Sequence, residues 1–114
     1  MDDEPVVLAD QSGVIRFWSR GAEKAFGYAF AEAVGQTLDL IVPPEHREAH
    51  WNGFRRAMQC GAAAVEGQAV PFPVRHADGS NIARQGRLTL LRRSRGDVIA
   101  AIVVFDKIAE QDRA

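Results

Sequence analysis

An α+β domain, with an antiparallel sheet and its helices gathered on one face, follows from the order of two patterns along the chain. Short β-rich runs set off by turn signals open and close the sequence, and between them lie segments of helical spacing ending in a long proline-led helix. At 114 residues the chain suits one domain with its own core, taken as residues 1–114.

Residues 5–9, PVVLA, and 14–18, VIRFW, flank the turn Asp10-Gln11-Ser12-Gly13 and read as a hairpin. Ser19 is placed to cap a helix through Phe26, because Ala22, Ala25 and Phe26 fall at helical spacing and Gly27 follows as a stop. Residues 29–41 read as short helical turns broken at Gly35, offering Phe30, Val34, Leu38 and Leu40 to the core. Pro43 and Pro44 suit a helix start, and the longest helix is expected from about Glu45 to Cys60. Its repeat puts His46, His50, Phe54 (or Gly53) and Ala57 on one face, with Arg47, Arg55 and Arg56 elsewhere. After Gly61 three strands are expected, at about 65–75, 81–92 and 97–106, joined by Ala77-Asp78-Gly79-Ser80 and Ser94-Arg95-Gly96-Asp97.

Composition narrows the partners. A net charge of -1 gives no electrostatic reason to expect nucleic acid or an anionic membrane. No apolar run reaches the length of a membrane span, and MDDEP places acids where a secretory signal needs basic residues, so a cytoplasmic location is expected. The single cysteine, Cys60, forms no internal disulfide and lacks the paired spacing of a zinc site. His46 and His50 have the four-residue spacing of two metal-binding imidazoles, but Arg47 stands where the hydrolytic zinc motif has glutamate. No nucleophile stands beside a base and an orienting group, so the expectation is a domain that binds and not an enzyme.

The residues Ala9-Asp10-Gln11-Ser12-Gly13-Val14-Ile15 leading to Trp18, then Gly21 to Tyr28, Glu32 to Gln36, Val42-Pro43-Pro44 and Asp78-Gly79-Ser80, in that order, resemble the PAS domain family. The likeness covers nearly the whole chain. It implies a five-stranded antiparallel sheet of order 2-1-5-4-3 and a pocket between sheet and long helix. It also implies a sensory or dimerising module in signal transduction, expected as a homodimer. Within the family, the haem-binding oxygen sensors carry their iron-ligating histidine on the long helix after the proline, and His50 occupies that place beside Pro43 and Arg47. The resemblance thus implies b-type haem with His50 as axial ligand, and a diatomic gas on the iron. The sequence departs from that subgroup after Gly61, where AAAVEGQAVPFPV lacks its Gly-Ile-Gly-Arg run with the distal arginine. The flavin photosensors of the family carry Asn-Cys-Arg-Phe near the start of this helix, whereas Cys60 stands at its end. PAS domains coupled to a kinase or cyclase leave the last strand through Asp-x-Thr. Asp106-Lys107-Ile108 lacks the threonine, and the effector is expected in another chain or segment.

Alternation along the fourth strand places Ile82, Arg84, Gly86, Leu88 and Leu90 on the inward face and Ala83, Gln85, Arg87 and Thr89 outward. Other PAS domains are usually apolar and bulky where Arg84 and Gly86 stand, so Gly86 is expected to leave room for a ligand, and an inward Arg84 needs an anionic or hydrogen-bonding partner. The same residues admit a β-bulge at Gly86 that turns Arg84 outward. The expected cofactor site is therefore His50, Trp51, Phe54, Arg84, Gly86 and Leu88. The alternative is a protein-interaction PAS module that is empty or takes a small organic molecule.

Overall fold

A computed structural model describes residues 3–106 of the chain. Five antiparallel strands form one sheet in the order β2-β1-β5-β4-β3, with β1 at Val6–Asp10, β2 at Ile15–Trp18, β3 at Ala69–Arg75, β4 at Asn81–Arg92 and β5 at Val98–Phe105. Between β2 and β3 run α1 (Arg20–Phe26), α2 (Phe30–Ala33), two 3-10 turns at Leu38–Leu40 and Pro44–His46, and α3 (Arg47–Cys60). Lys107 and Ile108, expected to carry the chain away from the sheet, lie outside the described residues.

The first hairpin turns because the Asp10 carboxylate accepts from the amides of Ser12 at 2.9 Å and Val14 at 3.1 Å. Ser19 caps α1 by accepting from the amide of Ala22 at 3.1 Å, and it also accepts from Val6 at 2.8 Å, tying the helix start to β1. Gly27 ends α1 at φ +87°, with the His76 ring and the Ala77 methyl within 3 Å of where a Cβ would stand, so only glycine fits.

Trp18, Phe26, Ile15, Val74 and Phe105 are sealed between sheet and helices, with Phe26 edge-on to Phe105 at 5.0 Å between ring centroids. Phe30, expected in the core, is exposed on α2, whereas Val34, Leu38 and Leu40 pack against it as expected. The long helix begins at Arg47 and not at Glu45, because residues 44–46 wind as a 3-10 turn behind Pro43. The strand expected over 65–75 starts only at Ala69; residues 64–67 form a turn before it.

Gly86 is buried and paired in unbroken register with Val70 on β3 and Phe105 on β5, with no bulge and no positive φ. Its inward orientation is as read from the alternation, but the expected room is not there. A Cβ on Gly86 would stand 3.0 Å from Val103, 3.1 Å from Phe105 and 3.2 Å from Phe72. The Phe72 and Phe105 rings, 5.8 Å apart, meet over the glycine and take up the space themselves.

Candidate functional site

A cavity of about 580 Å3 lies between the inner face of the sheet and α3, a volume that suits a cofactor or an amphipathic small molecule. Leu88, Leu90, Ala101 and Val103 form its floor, and Phe54 and Ala57 face them from α3. Among the described residues that line it, only His46, His50 and Arg56 have ionisable side chains.

His46 stands in the turn that leads into α3, and His50 and Arg56 stand on α3 itself, all three bordering the cavity. His50 is half-buried, edge-on to Trp51 at 4.8 Å and tilted on Phe54 at 5.9 Å between ring centroids. Its Nδ1 is buried with no hydrogen-bond partner. Burial lowers the pKa of the imidazole below its ordinary 6.5, with the Asp39 carboxylate partly opposing, so the neutral ring is the form held at neutral pH. Sealed in this way, Nδ1 is closed to the cavity as well as to solvent, so a ligand reaches the ring through the other nitrogen, Nε2. His46 and Arg56 are exposed and stand at the open edge, on either side of Ala49 and Gly53. Apart from the helix's own backbone and chain neighbours, nothing among the described residues lies within 4 Å of where a Cβ on Gly53 would be, so the small residues leave this edge of the helix open.

Of the six residues expected at the site, His50, Phe54 and Leu88 line the cavity and three do not. Trp51 turns away: its Nε1 donates to Asp39 Oδ1 at 2.7 Å and its ring covers Gly13. Arg84 lies toward the end of the sheet, where its Nε donates to the backbone oxygen of Asp106 at 3.2 Å. Gly86 sits under the Phe72 and Phe105 rings. Conversely, Arg56 was read as lying on another face of α3, yet it borders the cavity because the opening extends along the helix past Gly53. The signal for that lay in the small residues Ala49 and Gly53, spaced between His46 and Arg56. Cys60 is exposed and borders a separate polar surface depression, not the apolar cavity. Among the described residues no group of three or more His, Cys, Asp or Glu gathers around His46 and His50, so the zinc reading of that pair finds no third ligand of these kinds.

A family model described as PAS fold matches residues 2–113. The oxygen sensor protein DosP of Escherichia coli is 33% identical over 76 residues, which is 67% of this chain and 10% of DosP. The sensor protein FixL of Bradyrhizobium diazoefficiens is 32% identical over 47 residues, 41% of this chain and 9% of FixL. The chain thus spans about a tenth of the length of these curated relatives. Among solved structures, the PAS domain of the RpfR quorum-sensing receptor of Cronobacter turicensis, in complex with C12:0, superposes with a TM-score of 0.73 at 18% identity, covering 96% of this chain and 97% of that one.

Proposed function

The chain belongs to the PAS fold family, and we propose that it is a sensory domain whose input is the molecule held beneath α3, with b-type haem on His50 as the most specific reading. The observation that carries this is His50 itself, a neutral imidazole in the wall of an apolar cavity, with Nδ1 sealed and Nε2 left to meet a ligand. The residues present fit the group. His50 would hold the iron, Leu88, Leu90 and Phe54 would exclude water from the ring faces, and His46 and Arg56 would meet carboxylates at the open edge. Haem would supply an iron centre able to take a diatomic gas or change oxidation state. The naming of the relative DosP as an oxygen sensor supports a gas as signal. Arg84 has no part in this reading, since it bonds the backbone at Asp106.

A second reading is favoured by the same open edge. An organic molecule with an apolar body and a carboxylate would fill the cavity and meet Arg56 and His46, as the C12:0 complex of the RpfR domain suggests by its name. Under either reading the domain binds and does not convert. Homodimerisation, a cytoplasmic location and an effector outside this chain complete the proposal. The outward face of the sheet, where Leu8 pairs with Phe17 and with Ile102, offers apolar surface for a second copy. No helix among the described residues is long and apolar enough to cross a membrane.

The absorption spectrum of protein purified from haem-supplied cells tests the first reading. A strong Soret band is expected. A colourless protein that binds dodecanoate would transfer the proposal to the organic ligand, and one that takes up neither would leave only the interaction module.

A further inference from the structure

Residues 61–68 leave α3, pass across one side of the cavity and join β3, and Ala62, Ala63, Ala64 and Val65 all line it. Three of these four side chains are methyl groups, and Val65 is 37% exposed, so burial of apolar surface gives the segment little hold. Polar bonds fasten it instead. The Arg92 guanidinium on β4 clasps the Glu66 carboxylate as a fork, Nη2 to Oε1 at 2.6 Å and Nη1 to Oε2 at 3.0 Å, and it also donates twice to the backbone oxygen of Gly61, at 2.9 and 3.2 Å.

The strand supplies the reason for this arrangement. The pairing of β3 with β4 ends at Ala69 and Arg87, leaving the rest of that edge of β4 without a neighbouring strand. Glu66 Oε2 accepts from the Leu90 amide at 3.0 Å and the Gly67 amide donates to Leu88 at 2.9 Å, so the segment stands in for the missing strand. Glycines with positive φ flank it, Gly61 at +76° and Gly67 at +82°, and a Cβ on Gly67 would meet nothing within 4 Å. Swinging the segment outward therefore requires breaking the Arg92 fork, the Leu90 bond, the adjoining bond from Gly67 to Leu88 and the bond from Gln68 Nε2 to the Ala64 backbone oxygen, with almost no packed side chain to extract.

We infer that residues 61–66 are a hinged lid over the cavity, and that the Glu66–Arg92 fork is the latch whose opening admits and releases the ligand. The inference rests on the cavity being the binding site but not on which molecule fills it. The latch is intact at neutral pH, because the Arg92 guanidinium, followed by the Leu90 amide, holds the Glu66 carboxyl down at about 2.

The test compares the wild-type chain with Glu66→Gln and Arg92→Lys, the second keeping the charge while losing the fork. Hydrogen exchange at the Gly67 and Leu90 amides is read first, then stopped-flow association and dissociation of two probes, haemin and the amphipathic anionic dye 1-anilinonaphthalene-8-sulfonate. Exchange at these amides is expected to be about fivefold faster in both variants, the equivalent of one well-formed ion pair lost, with β1 and β5 unchanged. Dye on-rates and off-rates should rise together by a similar factor, leaving affinity nearly constant. Dye kinetics that respond while haemin fails to bind would retain the lid and remove the haem reading. Unchanged exchange, a dye excluded from the wild-type protein, or an affinity change carried by the off-rate alone would each overturn the lid.

Discussion

The indole of Trp51 lies directly over Gly13, where a Cβ on that glycine would run into the ring, and its Nε1 donates to Asp39 at 2.7 Å. The contact pins α3 to the first hairpin at the residue beside His50. Gly13 also holds φ +81°, so a side chain there meets both a strained backbone and the ring. Gly13→Ala is expected to destabilise the domain by about 1–3 kcal/mol in urea unfolding, and Trp51→Phe, which keeps a ring but loses the donor, by about 1 kcal/mol. A Gly13→Ala protein as stable as wild type would show that the indole does not hold this position.

Two glycines near the cavity are predicted to respond in opposite ways. At Gly86 an added methyl meets Val103, Phe105 and Phe72 at 3.0–3.2 Å, so Gly86→Ala should destabilise by about 1 kcal/mol and larger residues by more. At Gly53 on α3 the space is open and the backbone is helical, so Gly53→Ala should stabilise by about 1 kcal/mol. Gly53→Leu should keep the fold while narrowing the opening between His46 and Arg56, and ligand uptake should fall. Thermal unfolding and a dye-binding titration distinguish the two positions.

What was legible in the sequence was what neighbouring residues decide among themselves. Ser19 as cap, Gly27 as stop, the Asp10 turn and the alternation of β4 are each settled within a few residues, and each stands in the structure as read. Gly86 was read correctly as inward but wrongly as roomy, because the rings that fill the space arrive from β3 and β5, far away in sequence. The strand expected from about residue 65 begins only at Ala69, because Glu66 bonds Arg92 and holds the preceding residues as a turn, an ion pair across 26 residues that no local pattern announces. Trp51 was placed at the cavity by adjacency to His50, and one helical step of about 100° is enough to aim it at Gly13 instead.

The pH dependence of stability should fall in two separate windows. Burial depresses the His50 pKa, so the unfolded chain binds this proton more readily. Stability from this group is complete above about 6.5 and declines as pH falls below that value, with a slope of at most about 1.4 kcal/mol per pH unit, until the folded ring also protonates. Glu66, with Asp3, Asp10 and Asp78, is shifted downward as a carboxylate, so its contribution is present above its ordinary value near 4.5 and is lost only as pH falls toward about 2. Urea unfolding from pH 7.5 to 5 should show the first decline in wild type and lose it in His50→Gln. A slope unchanged by that substitution would remove His50 as its source.

The proposed role of His50 is tested most directly by haemin titration of wild type, His46→Ala and His50→Ala, followed by the Soret absorption at neutral pH. His50 is half-buried in the cavity wall against Trp51 and Phe54, whereas His46 is exposed at the edge. The account predicts a saturable, sharpened Soret band for wild type and for His46→Ala, and for His50→Ala a band that is lost or shifted with affinity at least about tenfold weaker. Identical spectra and affinities for wild type and His50→Ala would contradict it.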